Sequence, residues 1–194
     1  MSSSTATLSE GVTAAVCAPE AGVPIVSAED GVSHADVVEL RLATIGNVDS
    51  GKSTIVGVLT RDMLDDGRGK ARATVFRHSH EKETGRTSAI GIELMGLDSH
   101  GKTVRTDGSN RARHFAAVRT NGRRVITFCD LAGHERYLKT TIAGLTGMAP
   151  DYALVLVGLN MGVSKMTREH LGLAAALDVP PIIICTKSDI VRSA

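Results

Sequence analysis

The sequence predicts an α/β fold in which a mostly parallel sheet carries helices on both faces. Three observations indicate it. Near-continuous apolar segments such as Tyr152–Leu159 are typical of strands that are buried on both faces. Segments with helical spacing alternate with these strands, as they do in βαβ units. A glycine-rich loop, Gly46–Ser53, joins the first predicted strand to the first predicted helix.

Length and composition indicate one folded domain with a tail. The chain has 194 residues, 42% of them hydrophobic, and its 22 basic and 21 acidic side chains give a net charge of +1. Generic charge attraction to nucleic acid or membranes is therefore not the leading interpretation of its function. No apolar run approaches the roughly 18 residues of a membrane span. The three cysteines, Cys17, Cys129 and Cys185, are compatible with the reducing cytoplasm.

Residues 1–36 are predicted to be a disordered, acidic leader, and residues 37–194 to form the folded domain. The first 40 residues contain six acidic side chains and no lysine or arginine. The leader is rich in serine, threonine, alanine, glycine and proline without a clear period, which is typical of disorder. Secretory and mitochondrial signals carry basic residues, so neither is predicted.

The first predicted elements are a strand, the glycine-rich loop and a helix. Val37–Ile45 alternates in polarity and then ends apolar, which predicts the strand. Thr54–Leu64 has apolar residues at helical spacing, which predicts the helix. Residues 65–87 are polar and lack a core period, so we predict mostly loop. Ile90–Leu97 is predicted to be the next strand.

The second half of the chain is predicted to open with a β-hairpin. Asn121-Gly122 is a strong hairpin signal, so the flanking segments Ala116–Val118 and Arg124–Cys129 are predicted to be paired strands. A helix, a strand, a helix and a strand follow, predicted at Glu135–Leu145 with an end near Gly147, at Tyr152–Leu159, at Met166–Leu177 and at Pro181–Cys185.

The glycine-rich loop matches the phosphate-binding pattern G-x-x-x-x-G-K-S/T, which predicts a P-loop NTPase fold. Its glycines let consecutive backbone N–H groups point at phosphate oxygens. Lys52 is expected to place a cation on the β- and γ-phosphates, and the Ser53 hydroxyl to be a Mg²⁺ ligand. The predicted nucleotide-binding residues of this region are Gly46, Asn47, Val48, Asp49, Ser50, Gly51, Lys52, Ser53 and Thr54.

A second motif follows the strand that ends near Cys129. Asp130 stands at the carboxyl end of that strand and faces the crevice where phosphates bind, so we predict that it holds Mg²⁺. The N–H of Gly133 can approach the terminal phosphate. His134 is the candidate catalytic residue, because an imidazole can position or polarise the attacking water.

A third motif, Thr186, Lys187 and Asp189, follows the last predicted strand. A carboxylate at Asp189 accepts hydrogen bonds from both the N1–H and the 2-amino group of guanine, whereas adenine offers no such pair. Lys187 can lay its stem over the base. The order of the three motifs along the chain predicts a site for a guanine nucleotide.

These motifs, in this order, resemble the GTPases of the translation-factor class, and elongation factor Tu in particular. Asp130–His134 and Thr167–His170 carry this resemblance, which runs from about Val37 to the end of the chain. More narrowly, four segments resemble the subgroup of GTP-binding proteins 1 and 2, namely Asp66–Gly69, Arg77-His78, Gly85–Ser88 and Gly96–Asp98.

The resemblance implies a Mg²⁺-dependent switch that binds GTP and GDP and hydrolyses GTP. It implies that Thr87 coordinates Mg²⁺ together with Ser53 and Asp130. It also implies that His134 is the catalytic histidine and that Val48 forms one side of an apolar gate beside it. The partners that it implies are the ribosome, tRNA or other RNA, and no membrane.

Three features depart from the family pattern. Ala132 replaces a common proline, and Thr186 replaces the usual asparagine that supports the phosphate loop. The chain also ends five residues after Asp189, before the loop that completes the guanine pocket in the family. We therefore expect a C-terminally truncated, incomplete G domain.

Two other functions stay open. The first is a module that binds nucleotide without hydrolysis, or an inactive fragment. The second is a P-loop enzyme that uses adenine nucleotides, which Asp189 disfavours. The basic side chains between residues 101 and 124 are interpreted as the edge of the predicted hairpin rather than an RNA site. His78 and His80 are interpreted as polar loop residues rather than metal ligands.

Overall fold

The protein is described by a computed structural model that covers residues 6–8, 12–14, 37–106 and 110–191. A five-stranded sheet forms its centre, and its strands are β3 (Val38–Gly46), β4 (Gly91–Leu97), β5 (Arg124–Asp130), β6 (Tyr152–Gly158) and β7 (Pro181–Thr186). Their order across the sheet is β4-β5-β3-β6-β7. Neighbouring strands are parallel except at one edge, where β4 runs antiparallel to β5.

Helices connect the strands and cover both faces of the sheet, so the predicted α/β fold is confirmed. A 3₁₀ turn, Glu135–Tyr137, leads directly into the fifth helix, so the helix predicted to begin at Glu135 begins three residues later. The helices are α1 (Lys52–Arg61), α2 (Lys70–Ala73), α3 (Ser79–Thr84), α4 (Arg111–Asn121), α5 (Leu138–Met148), α6 (Lys165–Ala176) and α7 (Ser188–Val191).

Each face of the sheet has its own hydrophobic core. Successive residues of a strand point to opposite faces. Ile45 of β3 therefore packs in the core that contains Leu145 of α5 and Ala174 of α6. Leu42 lies in the opposite core with Val56 of α1. This double burial explains why the strand sequences are apolar without alternation.

The predicted strand Ala116–Val118 is wrong, because it lies inside α4. The side chain of Asn110 caps this helix by accepting a backbone N–H of its first turn at 3.1 Å. At the other end, the N–H of Gly122 donates to the carbonyl of Val118 at 2.8 Å. Asn121-Gly122 therefore ends a helix instead of turning a hairpin. Three of the arginines of this region, Arg111, Arg113 and Arg119, thus lie on a helix and not on a hairpin edge.

Residues 65–87, predicted to be mostly loop, contain the two short helices α2 and α3. Near the start of the chain, β1 (Ala6–Leu8) and β2 (Val12–Ala14) form an antiparallel pair within the predicted leader. The other leader residues lie outside the described part of the chain, so the leader and its boundary at residue 36 stay predictions. Within the described residues, no helix is both long and apolar enough to cross a membrane.

Candidate functional site

The carboxyl ends of the parallel strands meet at one edge of the sheet. Gly46 ends β3, Asp130 ends β5 and Thr186 ends β7. The register places Thr44 of β3 opposite Asp130, and Gly158 of β6 opposite Thr186. Parallel α/β sheets bind ligands at this edge. The fold therefore gathers the three predicted motifs, which are far apart in sequence, along a single crevice.

The phosphate loop turns sharply between β3 and α1. Gly46 has φ 135°, and a Cβ on this residue would overlap the carbonyl oxygen of Leu156 in the neighbouring strand. Asp49 and Gly51 take left-handed conformations with φ 58° and 90°. The hydroxyl of Ser50 donates to a carbonyl of the loop at 2.9 Å. Glycine at position 46 thus meets both a positive φ and a close approach of the neighbouring strand.

Lys52 points back into this loop. Its Nζ donates to the carbonyls of Asn47 at 2.6 Å and Gly46 at 3.2 Å, and the residue is only 7% exposed. Burial lowers the pKa of Lys52 to about 8, while the negative charges of Asp130 and Asp49 oppose that change. A buried ammonium inside a loop of backbone groups is an arrangement that favours an incoming phosphate.

Asp130 is the centre of a cluster of oxygen atoms and is 1% exposed. Its Oδ2 accepts from the Ser53 hydroxyl at 2.6 Å and from the Thr87 hydroxyl at 3.3 Å. The Ser53 and Thr87 hydroxyl oxygens are 2.7 Å apart, and Thr44 donates to Oδ1 at 2.9 Å. Burial raises the pKa of Asp130, while these donors and the Lys52 charge favour the ionised form.

The donor set around Asp130 suits a magnesium ion. Mg²⁺ prefers oxygen ligands and is usually held by one or two carboxylates together with substrate phosphates. Ser53, Thr87 and Asp130 supply two hydroxyl oxygens and one carboxylate within that cluster. Among the described residues, no group of three or more His, Cys, Asp and Glu side chains could hold a metal ion by itself.

Gly133 and His134 face the phosphate loop. A Cβ on Gly133 would overlap the ammonium of Lys52, so only glycine leaves room for this approach. The ring Nδ1 of His134 accepts the backbone N–H of Arg136 at 3.1 Å. The ring also meets Tyr137 edge-on, with centroids 6.2 Å apart.

A pocket joins the phosphate loop to two other segments. The sequence-predicted residues that line it come from the loop, from Thr87 and from the Gly133-His134 pair, while two arginines of residues 65–87 complete the wall. The full lining is Val48, Asp49, Gly51, Lys52, Ser53, Thr54, Arg72, Gly85, Arg86, Thr87, Gly133 and His134.

The predicted base-reading residues lie at and after the end of β7, and Thr186 contacts the phosphate loop. The Thr186 hydroxyl donates to the carbonyl of Ser50 at 2.9 Å and thereby ties the end of β7 to the loop. Lys187 takes a left-handed conformation with φ 60°, and its stem passes close to Gly158. Asp189 lies in the first turn of α7 and is exposed.

His170 supports the phosphate loop although the sequence motif alone assigned it no role. Its Nδ1 accepts the backbone N–H of Gly46 at 3.0 Å, and the residue is 0% exposed. Burial, and next the charge of Lys52, lower the pKa of His170 to about 4. Met166, His170 and Ala174 form the buried stripe of α6. The sequence signal that could have identified His170 is its position at helical spacing between two apolar residues of α6.

Comparisons with known proteins agree with this geometry. A family model described as "Elongation factor Tu GTP binding domain" matches residues 37–194. The chain is 50% identical over 159 residues to GTP-binding protein 1 of Xenopus laevis and 52% identical over 153 residues to GTP-binding protein 2 of Mus musculus. These matches cover 81% and 79% of the chain but 24% and 25% of the relatives. The chain therefore spans about a quarter of their length.

Two solved structures share the fold. The bacterial selenocysteine-specific elongation factor EF-Sec superposes with a TM-score of 0.51 at 24% identity, over 73% of this chain and 18% of that one. Translation elongation factor SelB from Methanococcus maripaludis, in complex with the GTP analogue GPPNHP, gives 0.51 at 22% identity, over 79% and 23%. The fold, the three motifs and the family match over residues 37–194 together lead to one conclusion: the chain belongs to the GTP-binding domain family of elongation factor Tu.

Proposed function

We propose that this domain is a Mg²⁺-dependent molecular switch that hydrolyses GTP and that the ribosome or another large RNA–protein partner activates. The observation that carries this proposal is the oxygen cluster of Ser53, Thr87 and Asp130 beside the buried ammonium of Lys52. The cluster joins the phosphate loop, the polar segment before β4 and the end of β5 at one point. A bound triphosphate would therefore connect three elements that hydrolysis would release.

Each part of the site has a role in this proposal. The loop Gly46–Thr54 and the N–H of Gly133 bind the phosphates. Ser53, Thr87 and Asp130 hold the Mg²⁺ ion, which when bound offsets negative charge on the phosphates. The guanine base is read by Asp189, supported by Thr186 and Lys187.

His134 is proposed to orient the attacking water. Because its Nδ1 accepts the N–H of Arg136, the neutral ring carries its hydrogen on Nε2. In that form the ring is a donor that can hold a water molecule or a phosphate oxygen in place. We expect slow hydrolysis without a partner, because the sequence motifs assign no cationic side chain to the transition state.

The first experiment tests base selectivity. A fluorescent GDP analogue bound in the presence of Mg²⁺ is displaced with GDP, GTP or ATP. Displacement by GDP and GTP alone supports the proposal, and equal displacement by ATP favours an adenine-nucleotide enzyme. Asp189→Asn is expected to weaken GTP binding by about 1.5–3 kcal/mol, since a charged acceptor for two donors is lost.

The second experiment tests hydrolysis. His134→Ala is expected to lower ribosome-stimulated turnover by about 10²–10⁴ without changing GTP affinity, because the ring acts on the reaction and not on binding. His100→Ala is the matched control, since His100 is exposed beyond the far end of β4. No stimulated turnover in the wild-type chain would indicate a nucleotide-binding module without hydrolysis. An unchanged rate in His134→Ala would exclude this histidine from the mechanism.

A further inference from the structure

Glu81 is a buried carboxylate in the middle of an otherwise polar, mostly exposed segment. It is 2% exposed and lies in the first turn of the six-residue helix α3. Its Oε2 accepts the backbone N–H groups of Arg77 at 3.1 Å and His78 at 3.2 Å. These two bonds form part of an ordinary helix cap. The helix cap accounts for the hydrogen bonds of Oε2 but not for those of Oε1.

The second oxygen of Glu81 binds a different part of the chain. Oε1 accepts the backbone N–H of Ser88 at 2.8 Å, the hydroxyl of Ser88 at 2.9 Å and the backbone N–H of Ala89 at 3.3 Å. Ser88 and Ala89 come seven and eight residues later and lie outside α3. A helix cap does not need these contacts. One carboxylate therefore fastens both ends of residues 77–89.

Burial is the largest single influence on the pKa of Glu81 and by itself would raise it. The donors from Ser88, Arg77 and His78 together outweigh burial and lower the pKa to about 2. The side chain is therefore ionised at neutral pH, and all five donors meet a negative charge. Hydrogen bonds to a charged acceptor are stronger than neutral ones.

The residue immediately before Ser88 is Thr87. Its hydroxyl lies 2.7 Å from the Ser53 oxygen and 3.3 Å from Oδ2 of Asp130. The Glu81 carboxylate binds the two peptide N–H groups that directly follow Thr87, and so fixes the backbone on one side of it. We propose that Glu81 is a positioning residue that holds Thr87 at the Ser53–Asp130 cluster and thereby favours the triphosphate over the diphosphate.

This inference rests on the proposed function, because it assigns Glu81 to the same site. The reason for selectivity is that the hydrogen bonds of Glu81 in the described structure go to residues 77, 78, 88 and 89 and not to the phosphate loop Gly46–Ser53. The affinity for GDP, which that loop binds, should therefore not change when Glu81 is replaced. The affinity for a nucleotide whose terminal phosphate also depends on Thr87 should fall.

The test compares nucleotide affinities of the 194-residue chain and its variants. Glu81→Gln replaces one carboxylate oxygen by an amide that cannot accept, so one set of donors is left unpaired. Mg²⁺-dependent affinity for a non-hydrolysable GTP analogue is expected to fall roughly tenfold, and that for GDP by less than about twofold. Ser88→Ala removes a single donor. It is expected to lower the ratio of the GTP-analogue affinity to the GDP affinity as well, but by less than Glu81→Gln.

Asp98→Asn is the matched control. Asp98 is also a carboxylate that accepts two backbone N–H groups, from His100 and Lys102 at 2.9 Å, but it lies in the turn after β4. The ratio of the two affinities should not change in this variant. Limited trypsin digestion supplies an independent readout at Lys82 and Arg86: the GTP analogue is expected to protect these sites in the wild-type chain and to protect them less in Glu81→Gln.

The outcomes separate the two proposals. If the wild-type chain binds neither nucleotide, the proposed function fails. If the wild-type chain binds both, and Glu81→Gln and Ser88→Ala lose no selectivity, Glu81 is only a helix cap and the inference is overturned. Equal losses for the GTP analogue and GDP in a folded variant would overturn it too. Should Glu81→Gln fail to fold, the ratio of the GTP-analogue and GDP affinities in Ser88→Ala tests the inference, and an unchanged ratio overturns it.

Discussion

Thr186 shows how a single hydroxyl supports the phosphate loop. Its bond to the Ser50 carbonyl connects the end of β7 to the phosphate loop across 136 positions of sequence. Thr186→Val keeps the shape and leaves that buried carbonyl without its donor. We expect the free energy of unfolding to fall by about 1–2 kcal/mol, measured by urea denaturation. Thr146→Val is the control, because Thr146 is an exposed position of α5 whose hydroxyl bonds to the carbonyl of Ile142 at 2.9 Å. An equal effect there would contradict the prediction.

His170 makes the stability of the fold depend on pH. Its folded pKa of about 4 lies below the ordinary value of 6.5, so the unfolded chain binds the proton more tightly. The stability that neutral His170 provides is therefore complete above about pH 6.5 and is lost as the pH falls toward 4. We expect the melting temperature to fall over this interval, as followed by circular dichroism.

His170→Asn tests the source of that slope. The amide oxygen of asparagine can accept the N–H of Gly46 without titrating, so the variant should lose less stability on acidification. Burial also lowers the pKa of His114, which contributes a slope of the same sign in both proteins. The difference between variant and wild type isolates His170. Identical slopes would show that it does not contribute.

The residues proposed to bind phosphate and metal are recognisable from the sequence because each belongs to a short local motif. A glycine loop with Lys52 and Ser53, and an Asp at a strand end, are recognisable from neighbours in sequence alone. His170 and Glu81 could not be predicted in the same way. The partner of His170 is set by a tertiary contact, since Gly46 lies 124 residues away. Glu81 bonds only to residues within eight positions of itself, and of these bonds only the one to the N–H of His78 follows a capping pattern.

At the scale of elements, the strands and long helices followed from hydrophobic pattern, and the exceptions have physical reasons. Asn121-Gly122 favours a hairpin only where strands flank it, and the same pair suits a helix end. The buried positions His114 and Val118, four residues apart, reveal α4 instead. Helices α2 and α3 are too short to show a period. Their burial depends on single residues such as Ala71 and Glu81.

Gly57 and Gly172 give opposite predictions for the same substitution. Both lie inside helices, where alanine is intrinsically preferred by about 1 kcal/mol. A Cβ on Gly57 of α1 would overlap the backbone carbonyl of Ala71 in α2, whereas nothing lies within 4 Å of a Cβ on Gly172 of α6. We expect Gly57→Ala to lower the melting temperature and Gly172→Ala to raise it. Equal shifts of one sign would show that α1 and α2 are not closely packed.

At the scale of the molecule, the site exists only because the sheet brings distant strand ends together. The α/β class and the crevice could be predicted from alternating elements and the order of the motifs. The antiparallel pairing of β4 with β5 could not, since the sequence signal at Asn121-Gly122 pointed to a different partner for β5. Strand pairing is a property of the whole sheet, and a local turn signal does not determine it.

Ligand binding should stabilise the whole domain. A ligand that binds only the folded state adds about 2.7 kcal/mol at a hundredfold excess over its Kd. For a domain of this size that corresponds to a rise in Tm of about 5–10 °C. We expect this rise with Mg²⁺ and GDP or GTP, and not with ATP, in differential scanning calorimetry. Lys52→Ala should abolish the shift, and an equal shift with ATP would contradict guanine selectivity.

The edge contact between Tyr137 and His134 also gives the domain an optical reporter of its own. The chain has no tryptophan and two tyrosines. One of them, Tyr137, has the guanidinium of Arg136 5.8 Å from its ring centre and the His134 ring on its edge, while Tyr152 lies in β6. With no indole to absorb its emission, tyrosine fluorescence is readable without a dye. Tyr152→Phe would leave a single emitter, placed where the environment of His134 changes.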